Sequence, residues 1–158
     1  MAYASKTTVP VEKTEAEIKA VIRRYGATSF ASFEEVGRAL IAFEMQGRRI
    51  LFALPLPSRG DKEFTTYKRG YSEYKRTENA AISAWEQACR SRWRALFLCI
   101  KAKLESVESG IETFEDAFLA HIQMPDGKTV SEHVKPRIAS AYETGSMQPL
   151  LPAPRDGT

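Results

Sequence analysis

The chain has 158 residues, 43% of them hydrophobic and 27% charged, with a formal net charge of +3. That length fits one domain able to bury a core, and that composition excludes a disordered chain. A balance so close to neutral does not mark the whole domain as a phosphate-binding surface, so the informative quantity is where the charge sits.

In chain order, the first expected element is a helix. Thr14 and Glu17 read as a capping box, Ile18, Val21 and Ile22 as its apolar stripe, and Gly26 as its stop. Three strands follow: "TSFASFEEV" (28–36), "RALIAFEM" (38–45) and "RRILFALPL" (48–56), the last two joined by a tight hairpin at Gln46-Gly47. A two-residue loop pairs Met45 with Arg48, which sets Phe43 opposite Ile50 and Ile41 opposite Phe52 on one face. Glu44 then meets Arg49 on the other face as a pair of opposite charges. That second face also carries Leu40, Ala42, Leu51 and Ala53, apolar enough to expect partial cover.

Pro55 and Pro57 end the third strand, and residues 58–78 read as a polar, basic connection. Connections of that length inside compact domains are usually functional or disordered. A long helix is expected from Asn79 to Ser109. Ile82, Trp85, Cys89, Trp93, Leu96, Ile100, Leu104 and Val107 recur in steps of three and four residues. Phe97 and Leu98 widen this stripe, so the middle turn is expected to be covered from more than one side, by the domain itself or by a second copy. Cys89 and Cys99, ten residues apart on this helix, are separated by about 15 Å of helical rise. They read as two buried thiols in a reducing compartment, not as a disulfide.

Gly110 breaks the long helix. "IETFEDAFLAHI" (111–122) reads as a short amphipathic helix, Pro125-Asp126-Gly127 as a turn, and Ser131 as the cap of a last helix reaching Tyr142, with Pro136 limiting its regularity. The expected class is α+β: an N-terminal helix, a three-stranded antiparallel meander, a long helix and two shorter helices. Residues 1–145 form the domain, and 146–158 an irregular Pro-rich tail. No apolar run is long enough to span a bilayer and none resembles a signal peptide, so the cytoplasm is the expected location.

No Walker-type loop, G-x-S-x-G elbow or H-E-x-x-H motif is present. His121 and His133, with Glu115, Asp116 and Glu132 near them in sequence, have the residue types of a metal site but no ligand spacing that forces one. The expectation is a protein that is not an enzyme, with no cofactor and no metal.

The segment "FTTYKRGYSEYKR" (64–76) is different in kind. It holds four cations, four aromatics and a single acid. Arg59, Lys62, Lys68, Arg69, Lys75 and Arg76 supply phosphate-binding charge, and Tyr67, Tyr71 and Tyr74 supply flat rings between them. Single-stranded nucleic acid requires both: cations along its backbone and aromatic faces under its bases. On the long helix, Arg90, Arg94 and Lys101 share a face separate from the apolar stripe and are expected to extend the basic track.

Read whole, the chain resembles a family of small uncharacterised proteins encoded by tailed phages and prophages. The resemblance is carried by "VPVEKTEAEI" and "YGA" near the start, "RRILFALPLP" in the sheet, "AWEQACRSRWRALFLCIKAKLESVESGIETFEDAFLAHI", and "AYETGSMQPLLP" near the end. It implies phage origin and transfers no catalytic residue. The element order is also similar to that of double-stranded RNA-binding domains and to the β-β-β-α core of phage single-strand annealing proteins. The latter use a basic groove beside sheet and long helix and assemble into rings or filaments. The expected function is nucleic-acid binding, with single-stranded DNA favoured, as an accessory to recombination or replication, with self-association through the long helix. The rival expectation is a protein-interaction module, an adaptor or inhibitor of a host system, using the same Tyr and Arg side chains as anchors.

Overall fold

A computed structural model of the chain describes residues 3–153. After a 3-10 turn at Tyr3–Lys6, helix α1 runs Val11–Arg24, and strands β1 (Ser29–Glu35), β2 (Arg38–Met45) and β3 (Arg48–Pro55) form an antiparallel meander in the order β1-β2-β3. Three short elements come next: helix α2 (Lys62–Thr65) and strands β4 (Thr66–Arg69) and β5 (Ser72–Lys75). Then come the long helix α3 (Glu78–Glu108), the short α4 (Phe114–Phe118) with a 3-10 turn at Leu119–His121, and α5 (Val130–Thr144). The α+β class and the order of N-terminal helix, three-stranded meander, long helix and shorter helices are as expected, and α2, β4 and β5 are additional to it.

The β2–β3 register is the one set by a two-residue turn. Gln46 and Gly47 both have positive φ, 50° and 72°, as a type I′ turn requires. Met45 pairs with Arg48, Phe43 with Ile50, Ile41 with Phe52 and Glu44 with Arg49. One face of the sheet is therefore continuous core: Ala39, Ile41, Phe43, Met45, Ile50, Phe52 and Leu54 are all buried. They join Ile18 and Ile22 of α1 and Trp93, Leu96, Ile100 and Leu104 of α3 in one cluster. Phe118 closes its end, meeting Phe43 and Phe52 edge-on at 6.0 and 6.3 Å. The helices of this cluster lie on that side, and the opposite face keeps Leu40, Ala42 and Leu51 only half-buried and Ala53 exposed.

Several boundaries differ from the expected ones. α1 begins at Val11, one turn before Thr14, so Thr14 does not cap. Proline is well suited to a helix start because its missing N–H would be unpaired there anyway, and Pro10 occupies that place. Thr14 instead faces inward, fully buried, with its hydroxyl oxygen unpartnered. The cap of α5 is Thr129, not Ser131: its hydroxyl accepts from the Glu132 N–H, and the Glu132 carboxylate accepts from the Thr129 N–H in return. The helix passes through Pro136 and stops at Gly145, which is left-handed at φ 69°. The segment 111–122 is helical only over α4 and the following 3-10 turn, because Thr113 caps at Asp116 N–H and leaves Ile111 outside and exposed. Ile122 and Gln123 add a short bridge to the edge of β3 and to Thr129. Of the two cysteines, Cys89 is buried and Cys99 exposed, because their ten-residue spacing is nearly three helical turns and rotates Cys99 off the buried stripe. Burial pushes the Cys89 thiol up. The Pro-rich tail has no helix or strand through Ala153, and 154–158 lie outside the described residues. Among the described residues no helix is long and apolar enough to cross a membrane.

Two outcomes follow from this core. An unpartnered buried hydroxyl costs stability, so Thr14→Val, nearly isosteric, is expected to stabilise the domain by roughly 1 kcal/mol, read as a higher urea midpoint. His121 stacks on Phe52 with ring centroids 3.9 Å apart, and burial, then nearby Lys103, holds its imidazole below the usual histidine range. A histidine with a depressed folded value is protonated first in the unfolded chain. Its contribution is therefore complete above about pH 6.5 and is lost as the pH falls from there toward the folded value. His121→Phe keeps the stack and removes the proton, so urea titrations at about pH 7.5 and about pH 5 are expected to show a smaller acid loss than in the parent.

Candidate nucleic-acid interface

Residues 58–78, expected as a long irregular connection, form a compact excursion instead. Ser58 N–H donates to the Asp61 carboxylate, α2 follows, and Phe64 is buried where α2 meets α3. β4 and β5 then form an antiparallel hairpin pairing Thr66 with Lys75, Tyr67 with Tyr74, Lys68 with Glu73 and Arg69 with Ser72. The turn is Gly70-Tyr71, with φ 63° at Gly70, the position where a glycine-first two-residue hairpin turn needs a positive angle. At the base, Arg76 N–H donates to the Thr65 carbonyl at 2.8 Å and its guanidinium reaches the Phe64 carbonyl at 3.4 Å. Thr77 then caps α3 by accepting from the Ala80 N–H. The hairpin is thus clamped at its root and exposed along its length.

Alternation along the two strands sorts the side chains. Tyr67, Arg69, Ser72 and Tyr74 share one face, and Thr66, Lys68, Glu73 and Lys75 the other. Tyr67 and Tyr74 stack on each other, centroids 5.6 Å apart and planes 25° apart, and remain 43% and 47% exposed. Tyr71 stands fully exposed at the tip. The two Tyr-Lys-Arg triads are therefore not two equal grips. Their tyrosines meet as one platform, their lysines point to the far side, and Lys68 faces Glu73.

The other expected cations are placed differently. Arg59 lies over the Trp85 ring at 4.7 Å, and Trp85 is itself fixed by donating from its indole N–H to the Pro57 carbonyl at 2.7 Å. Lys62 is exposed on the first turn of α2. Arg94 is held by the Glu17 carboxylate of α1 and lies over Phe97 at 4.5 Å. Arg90 is held by the Gln87 side-chain oxygen at 2.7 Å, while the Gln87 amide donates to the Ser5 and Thr7 carbonyls. Lys101 is exposed about 35 Å along α3 from its first residue, at 1.5 Å per residue. The structure gathers Arg59, Lys62 and the hairpin residues around one end of α3, and commits Arg90 and Arg94 to packing the N-terminal segment.

Two features had weaker signals in the sequence. Gly70-Tyr71 between "TTYKR" and "SEYKR" is the spacing of a two-residue hairpin, a signal that was present but obscured by the polarity of the flanking residues. Trp85 as a platform for Arg59 had none, because its position fits the apolar stripe of α3. Among the described residues no group of three His, Cys, Asp or Glu side chains is placed to hold a metal. His133 pairs with Asp126 at 2.8 Å, whose carboxyl is held below the usual carboxylate range by the Lys128 N–H and then by His133. The cleft of about 600 Å³ beside Trp85 is lined by Glu34 and Glu35 together with Arg59, so its acids disfavour an anionic chain there. In comparisons with known proteins, no family model, no curated protein and no solved structure matches this chain.

A two-stranded hairpin without a covering layer depends on its cross-strand pairs. Tyr67→Ser is expected to cost the hairpin about 0.5 kcal/mol and to abolish the mutual ring shielding. In NMR spectra the Tyr74 ring protons would move downfield toward their unstacked positions while core amide resonances stay in place.

Proposed function

We propose that this chain is a non-enzymatic nucleic-acid-binding protein of phage origin whose β4–β5 hairpin grips single-stranded DNA, as an accessory to recombination or replication. The observation that carries the reading is the exposed Tyr67–Tyr74 pair on a clamped hairpin, with Tyr71 and Arg69 at its tip and Lys68 and Lys75 on its reverse. Stacked bases are worth about 1–3 kcal/mol each on such rings, independent of sequence, and the cations supply backbone contacts. Prealigned rings lose little conformational entropy on binding, which favours bases over a flexible polar contact. The reading rests on the hairpin and its root, with Lys62 beside it, and not on Arg59, which lines the acid-bearing cleft over Trp85, nor on Arg90, Arg94 and Lys101.

The second reading is a protein partner, favoured by the same exposed tyrosines, since Tyr and Arg are common anchors of protein interfaces. Salt separates the two. Fluorescence anisotropy with labelled single-stranded and duplex DNA at several salt concentrations is expected to give binding that weakens linearly in log–log with salt. In Lys68→Ala/Arg69→Ala/Lys75→Ala, the slope should fall by about 2 if three single-strand phosphate contacts are lost. Tyr71→Ala, which leaves the Tyr67–Tyr74 pair intact, should weaken single-strand binding about fivefold or more at unchanged slope. Tighter binding to duplex than to single strands would assign the hairpin to a groove, which a two-stranded ribbon fits. No binding at low salt would overturn the proposal and leave the protein-partner reading.

A further inference from the structure

The open face of the β1–β2–β3 sheet has a pattern with a specific consequence. Read across the strands, its outward side chains fall into four rows. The two inner rows are apolar: Ala31, Ala42 and Leu51 in one, Phe33, Leu40 and Ala53 in the next. The outer rows are charged, with Glu44 beside Arg49 at one end and Glu35 beside Arg38 at the other. Phe33 is 61% exposed, although the face it belongs to is otherwise made for packing. The three strands and four rows span roughly 14 by 20 Å, from strand spacing and rise.

We propose that this face is closed by the same face of a second copy, with the two-fold axis crossing the strands between the two inner rows. About this axis the two faces are complementary in size and in charge. That axis lays each row on the opposite row of the partner copy. Ala31 then meets the second Phe33, Ala42 meets Leu40, and Leu51 meets Ala53, so every apolar contact joins a large side chain to a small one, as interdigitated sheet packing requires. In the same arrangement Glu44 faces Arg38 of the other copy, twice. The alternative axis, along the strands, stacks Glu44 on Glu44 and Arg38 on Arg38, which like-charge repulsion disfavours. The ion pairs within one chain, Glu44–Arg49 and Glu35–Arg38, are exposed and weak, so exchanging partners costs little. Packed sheets cross at about 30°, which leaves the central-strand contacts near the axis and lets long Glu and Arg side chains span the offset. A patch of about 280 Å² on each copy is smaller than a stable interface, so the dimer is a weak one that forms only as concentration rises. The inference is independent of the nucleic-acid reading, because it uses no residue of the hairpin.

Sedimentation equilibrium over a range of concentrations tests it with charge-exchanged variants whose fold is checked by circular dichroism. Glu44→Arg alone and Arg38→Glu alone each place like charges across the axis, and each is expected to weaken self-association about tenfold or more. Mixing the two single variants restores opposite charges at both contacts, so the mixture is expected to associate as the parent does. The double variant E44R/R38E restores the pairs within one sequence and is likewise expected to dimerise. A parent that stays monomeric throughout, single variants that associate unchanged, or a mixture that fails to recover would each overturn the proposal.

Discussion

The constraint on which the rest of this structure depends is the two-residue turn at Gln46-Gly47. Because side chains alternate along a strand, a slip of one residue in the β2–β3 pairing would put Ile50 and Phe52 on the opposite face from Ile41 and Phe43. The turn excludes that slip through its own geometry, with positive φ at both central residues. Once it is set, β1 pairs in sequence, α1 and α3 have one surface to cover, and Phe118 has a slot between Phe43 and Phe52. The same register also composes the outward rows, so the core and the open face are two consequences of one turn.

Helix α3 is the second organising element. Its stripe of Cys89, Trp93, Leu96, Ile100 and Leu104 is spent on the core, and its flanks hold the periphery. Arg94 ties down α1 through Glu17, and Gln87 ties down the N-terminal segment. Its first turns receive Phe64 and are capped by Thr77, and both root the hairpin. A weakly covered two-stranded ribbon is therefore held in place at its root by the rigid body of the domain.

The hairpin and the open sheet face differ in chemistry. The hairpin offers cations and prestacked rings and few apolar groups. The sheet face offers small and large apolar side chains in alternation, bounded by charges of both signs. The two proposed partners follow that difference: an anionic polymer for the first and a second copy of the chain for the second. Neither relies on the histidines, which are engaged by Phe52 and Asp126.

The sequence alone determined the elements whose signals are local. The periodicity of α3, the hairpin at Gln46-Gly47 with its register, and the α+β order were all legible, because a stripe of apolar residues or a glycine-bearing turn acts over a few residues. Tyr67, Lys68, Arg69, Tyr71, Tyr74 and Lys75 were legible as a group by composition. What only the tertiary structure decided is which side chains meet. Thr14 looked like a cap and lies in the core because Pro10 starts the helix a turn earlier. Arg90 and Arg94 looked like part of a basic track, yet neighbours distant in sequence claim them: Glu17 directly, and Ser5 and Thr7 through Gln87. The polar segment after Pro57 is anchored by Phe64, which is buried where α2 meets α3. Such outcomes depend on contacts between residues far apart in the chain, whose free energy is realised only when the intervening elements are in place, and no local pattern encodes that.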